Sequence, residues 1–117
     1  MKTFQMKLAP SPFEKIRSGK KTIELRLNDE KRREIGIGDE IVFTDREHGE
    51  KILTEVVALH RFESFEALYS ALPLEKCGYS REEIPVASPA DMDAYYTREQ
   101  QEEHGVLGIE LRVLKLL

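Results

Sequence analysis

Gly19-Lys20-Lys21-Thr22-Ile23-Glu24-Leu25-Arg26 gathers two ammonium groups, a carboxylate and a guanidinium into one octet. Such a group can grip an anion or an amide and move a proton. From Thr22 the residues alternate. A strand here puts Thr22, Glu24 and Arg26 on one face and Ile23, Leu25 and Leu27 on the other. Lys21 stands just before that strand, close enough to turn its ammonium towards the polar face. The same alternation also occurs in half-exposed antiparallel strands, whose surface ion pairs contribute little energy.

The elements before the octet must position it. Residues 1–8 alternate, with Phe4, Met6 and Leu8 on one face, as in a first strand. Pro10-Ser11-Pro12-Phe13-Glu14 then starts a helix, with Ser11 as the expected N-cap, Pro12 in the first turn and Glu14 completing a Ser-x-x-Glu capping box. Phe13 and Ile16 form its inner face, and Gly19 supplies the left-handed stop. A helix of about two turns is marginal alone. It must be held on a sheet, and its end fixes where Lys20 and Lys21 leave.

Gly-x-Lys-x-x-Glu-x-Arg, here Gly19, Lys21, Glu24 and Arg26, resembles the signature of the ASCH domain family (activating signal cointegrator homology), a group with a PUA-like β-barrel. The resemblance extends over nearly the whole chain: a first strand, a proline-containing helix start, the motif, a Gly38-Asp39 turn and a last glycine-bearing strand. It implies a cleft around the motif that binds RNA or a nucleotide-like ligand. One branch of the family deacetylates acetylated cytidine with the motif lysine, a threonine three residues on and a later glutamate. This chain keeps Lys21 but has Glu24 at the threonine position. Thr22 shares the strand face without matching it, and Glu82 and Glu83 are the nearest candidates for the later carboxylate.

Composition fits one domain over residues 1–117, with 40% hydrophobic and 34% charged residues. No apolar run is long enough to span a membrane and no signal-peptide core opens the chain, so a cytoplasmic location is expected. The single cysteine, Cys77, rules out an intramolecular disulfide and any cysteine cluster for zinc. His48, His60 and His104 have no metal-ligand spacing, so neither metal nor cofactor is expected. The net charge of −4 argues against indiscriminate coating of nucleic acid. That average conceals an asymmetry. Residues 1–33 carry ten Lys/Arg against four Asp/Glu, whereas residues 34–117 carry eight against eighteen. Lys15, Arg17, Lys20, Lys21, Arg26, Lys31, Arg32 and Arg33 therefore form either a positive rim on an acidic body or a solvated face paired with it. A positive mouth of that kind favours a small or single-stranded ligand over long duplex.

Further along, strands are expected at 40–44 and 51–62, the second apolar on both faces and hence central. Ser64 starts a helix that Pro73 ends, and 74–86 reads as an irregular connection with a one-turn start at Ser80-x-x-Glu83. Ser88-Pro89-Ala90-Asp91 opens a last helix, expected to run to Gly105, with Met92, Tyr95 and Tyr96 at helical spacing. That stripe is either core or an aromatic edge on which a base can stack. A final strand runs from 106 to 114.

The expected fold is α+β, a small mixed or antiparallel PUA-like β-barrel of five to six strands with three helices. The expected function is a binding module for RNA or a nucleotide-like ligand, with Gly19, Lys20, Lys21, Thr22, Glu24, Arg26, Tyr95 and Tyr96 around the ligand. Arg26 would hold a phosphate or base carbonyl, and Glu24 would accept from an exocyclic amine. The alternative is a metal-independent hydrolase, acting on acetylated cytidine or on RNA, with Glu24 and Lys21 as catalytic pair. A third class is an adaptor that docks a protein partner on the basic rim.

Overall fold

Five strands form one sheet in the order β1-β3-β4-β5-β2. They are β1 (Thr3–Leu8), β2 (Ile23–Leu27), β3 (Glu40–Asp45), β4 (Lys51–Phe62) and β5 (Val106–Leu116), seen in a computed structural model that describes residues 1–117. β1 runs parallel to β3, and every other neighbouring pair is antiparallel. The twelve-residue β4 is central, as its apolar character on both faces requires. Its register against β5 shifts between Val56 and Ala58, a bulge of the kind that bends a strand. The sheet curls into a half-barrel whose edge strands approach each other. There the Nη2 of Arg26 on β2 donates to the Lys7 carbonyl of β1 at 3.1 Å. The α+β, PUA-like architecture expected from the sequence is present.

Four helices cover the sheet: α1 (Pro10–Arg17), α2 (Glu30–Arg33), α3 (Phe65–Ala71) and α4 (Arg98–His104). Two 3₁₀ turns, Ile84–Val86 and Pro89–Ala94, lie between α3 and α4. Inside the curl, Phe13 and Ile16 of α1 are 2% and 1% exposed against Phe43, Ile52 and Ile109. Full burial of such side chains contributes about 1.5 to 3 kcal/mol each, which is what holds so short a helix. On the other face Ile23 and Leu25 pack with Phe65, Leu68 and Met92 beneath α3. β2 is thus anchored through its apolar residues on the side away from α1.

Two expected helix boundaries are corrected. α1 starts at Pro10 after an extended Ala9, with no side-chain cap, and Glu14 pairs with Arg17 rather than with the helix start. Prolines at positions 10 and 12 remove two of the first three N–H groups, so little remains for Ser11 to cap. The helix expected from Ser88 to Gly105 is broken at Tyr95–Tyr96. Ser88 and Asp91 do form a capping box, but it opens only a 3₁₀ turn. A second box, Thr97 with Gln100, starts α4 afresh. The buried Gln101 side chain fixes the break by donating to the Tyr96 carbonyl at 3.1 Å and to Asp93 at 2.9 Å. The count is accordingly four helices and two 3₁₀ turns rather than three helices. No helix is long and apolar enough to cross a membrane.

Candidate functional site

Glu24 is the centre of the polar face of β2. Its carboxylate is almost wholly buried and accepts from two cations, Lys21 Nζ on Oε1 at 2.9 Å and Arg26 Nε on Oε2 at 2.8 Å. The strand alternation places Glu24 and Arg26 on one side, while Lys21 reaches the same point from the turn before the strand. Burial alone would push the Glu24 carboxyl up. The Lys21 and Arg26 charges outweigh it and hold the group below its ordinary range. Neither cation is fully shielded: the Lys21 and Arg26 side chains keep 12% and 13% of their surface.

The surface they keep opens into a cavity of about 750 Å³ between α1, the edges β1 and β2, and the connection from α3 to α4. Six cations line it: Lys7, Lys15, Lys21, Arg26, Arg32 and Arg46. The lining holds a single carboxylate, Glu24, already bound to two of them. An anionic chain therefore carries a cavity of the opposite sign. Lys15 Nζ donates to the Gly78 carbonyl at 2.8 Å and Arg32 pairs with Asp29 at 3.0 Å, so these two are held at the wall. Arg46 sits in the β3–β4 hairpin, tied to β1 by its N–H on the Leu8 carbonyl. That hairpin is braced by the buried Asp45, which accepts from the Glu47 and His48 N–H groups and from the His48 ring at 2.9 Å.

The residues of the octet part company here. Gly19 and Thr22 line a smaller depression of about 350 Å³, which Lys21 shares, and Lys20 is exposed and lines neither cavity. Thr22 lies just before β2, its N–H on the Lys76 carbonyl and its own carbonyl accepting from Leu111. Thr22 thus faces Leu111 at the end of the β2–β5 pairing and lines the smaller depression, not the cavity of Glu24 and Arg26. Tyr95 and Tyr96 both line the main cavity. Tyr96 stacks on Phe65 with ring centroids 6.2 Å apart, whereas Tyr95 is 73% exposed and has a free face. Glu82 and Glu83 lie outside the cavity, and Glu83 is spent on capping Ser80. His60 pairs with Glu110 at 3.0 Å, away from the cavity. No three His, Cys, Asp or Glu side chains are arranged to hold a metal ion.

Lys7 and Arg46 could not be assigned to the site from sequence. Lys7 stands on the polar face of β1, and Arg46 reaches the site only because β1 pairs in parallel with β3, placing Leu8 beside Asp45. Cys77 also lines the cavity, buried, with its thiol pushed up to about 11 by that burial, so it contributes apolar wall rather than a thiolate.

Gly78 shapes the path of Lys21. Its φ is +106°, and a Cβ there would meet Lys21 Cδ at 3.1 Å. Gly78→Ala is therefore expected to lower stability by about 1 to 3 kcal/mol through backbone strain and crowding of the lysine. Urea unfolding of the two proteins checks this, and equal midpoints would contradict it.

The ASCH domain profile matches residues 6–115. This chain belongs to the ASCH domain family. Among solved structures, the hypothetical protein PH0355 is 32% identical over 96% of this ASCH domain and 99% of its own chain, with a TM-score of 0.77. Protein PF0455 of Pyrococcus furiosus is 33% identical over 97% and 98% of the two chains, at a TM-score of 0.71. The ASCH protein of Zymomonas mobilis shares the fold at 18% identity and a TM-score of 0.60, covering 97% of this chain and 71% of that one. No curated protein sequence matches.

Proposed function

We propose that this ASCH domain is a binding module for RNA or a nucleotide-like ligand, held in the cavity above Lys21, Glu24 and Arg26. The observation that carries it is the concentration of six cations against one neutralised carboxylate around a pocket of nucleotide size, in a protein of net charge −4. A phosphate meets donors and positive charge there, and a base meets the apolar wall and the free face of Tyr95. Glu24 has a different part from the one its position in the motif suggested. Bonded through one oxygen to Lys21 and through the other to Arg26, it orients the two cations. The shielding of Lys21, Glu24 and Arg26 at the base of the pocket favours a small ligand over a docked protein surface.

The test is fluorescence anisotropy of a labelled short single-stranded RNA at several salt concentrations, with unlabelled nucleotide as competitor. Affinity is expected to fall as salt rises, at about one unit of logarithmic slope per phosphate engaged, and competitor should displace the RNA. Binding that ignores both salt and competitor would contradict the proposal. Tyr95→Ala should weaken binding by about 1 to 3 kcal/mol through lost stacking, with the melting temperature unchanged because the ring is exposed.

The hydrolytic alternatives have less support. The deacetylating branch needs a threonine where this chain has Glu24, and no second carboxylate lines the cavity. As a general base, Glu24 is weakened by the same two cations that lower its pKa. Hydrolysis of acetylated cytidine is expected to stay at background for wild type and for Lys21→Ala alike. Turnover by wild type that disappears in Lys21→Ala would make this protein an amidohydrolase.

A further inference from the structure

Building on the nucleotide reading above, we infer that the cavity takes its ligand end-on, with a terminal phosphomonoester seated on Lys21 and Arg26 at the floor. The floor offers donors and almost nothing else. Both Glu24 oxygens are engaged, by Lys21 at 2.9 Å and Arg26 at 2.8 Å. The Lys21 ammonium spends one of its three N–H groups on Glu24, and Arg26 spends Nε there and Nη2 on the Lys7 carbonyl, leaving Nη1 without a protein partner. No side-chain nitrogen or oxygen is sealed in the interior without a hydrogen bond, so the unpartnered Arg26 Nη1 keeps some accessible surface, and the Lys21 side chain keeps 12% of its own. A base edge mixes donors with acceptors, and its amine would face two cations. Phosphate oxygens only accept, and they match a guanidinium fork.

Depth selects an end over the middle of a chain. Lys21 and Arg26 retain 12% and 13% of their side-chain surface, whereas Lys7, Arg46 and Tyr95 stand exposed at the mouth. An internal phosphodiester reaching those two shielded cations would have to bring two stretches of backbone down past the exposed rim. A terminal phosphate brings one. Charge selects in the same direction. Lys21 and Arg26 outnumber Glu24 at the floor, and Lys15, bonded only to a neutral carbonyl, stands on the wall. A phosphomonoester brings roughly −1.5 to −2 charges to that field, where a diester brings about −1. Tyr95 at the mouth is then placed to stack on the base that follows the seated phosphate.

Calorimetric titration of the wild-type protein decides this without relying on a variant. The probes are one tetranucleotide RNA with a 5′-phosphate, with a 3′-phosphate or with hydroxyls at both ends, together with cytidine monophosphate and cytidine. A phosphorylated end should bind about tenfold or more tightly than the hydroxyl-ended RNA, as expected for an added charge-assisted hydrogen bond. Cytidine monophosphate should exceed cytidine by a similar factor. The phosphate advantage should shrink in Arg26→Ala, with circular dichroism reporting whether that variant is folded. A mononucleotide as tight as the phosphorylated RNA would identify a free nucleotide as the source, and a tighter RNA would identify a strand end. Equal affinity for phosphorylated and hydroxyl-ended RNA would overturn end-on seating while leaving the nucleotide reading intact. Absence of binding by every probe would overturn both.

Discussion

Glu24→Gln is expected to lower the unfolding free energy by about 3 kcal/mol, because it removes one partner of a buried ion cluster and leaves two cations facing each other. Glu24 touches Lys21 at 2.9 Å and Arg26 at 2.8 Å, with 5% of its side chain exposed. An amide can still accept through its oxygen, but its NH2 group meets a positive charge. The pH dependence gives the effect a signature. The folded carboxyl lies below its ordinary value of 4.5, so its stabilisation is complete above that pH and is lost as pH falls through the lower folded value. Wild type and Glu24→Gln should therefore differ most near pH 7 and converge in acid. Urea unfolding at both extremes measures the gap, and a gap below about 1 kcal/mol at neutral pH would show that the cluster is held by its surroundings.

Arg26→Ala and Lys21→Ala are each expected to weaken binding of a phosphorylated nucleotide by about 1 to 3 kcal/mol, roughly 5- to 150-fold. Arg26 should cost more, since it also ties β2 to the Lys7 carbonyl. Both variants lose stability as well, because each leaves Glu24 with one partner where it had two. Affinity must therefore be measured below the lowered melting temperature. The two effects should combine without simple additivity, because both cations act through one carboxylate. The salt dependence separates lost contact from lost fold. A folded variant that has given up a phosphate contact should show a logarithmic salt slope smaller by about one. Wild-type affinity in both folded variants would remove Lys21 and Arg26 from the ligand.

Much of this architecture was legible because it is written in local pattern. The alternation of Ile23, Leu25 and Leu27 located β2 and its buried side, the two-sided apolar run of β4 marked the central strand, and the spacing of Gly19, Lys21, Glu24 and Arg26 marked the family. What escaped depends on contacts distant in sequence. Arg46 and Lys7 join the cavity through the parallel pairing of β1 with β3, and nothing in either segment announces that partner. The burial of Glu24 could not be read from a strand whose charges alternate as they do on exposed strands. Alternation groups Thr22 with Glu24 and Arg26, but it does not show that Thr22 lines a separate, smaller depression beside Leu111. The break at Tyr95–Tyr96 was different. Thr97-x-x-Gln100 is a capping box in plain sight, but the stronger Ser88-Pro89 start upstream hid it.

The most direct measurement is a two-dimensional ¹⁵N spectrum of the protein titrated with cytidine monophosphate, following backbone amides and the Arg26 Nε–H signal together. The Arg26 side-chain signal and the amides of Leu25, Cys77, Gly78 and Tyr95 are expected to shift in one saturable process, since all of these residues line the cavity. Shifts confined to the acidic surface of α4, or to the far end of β5, with the Arg26 signal unmoved, would contradict a ligand seated there.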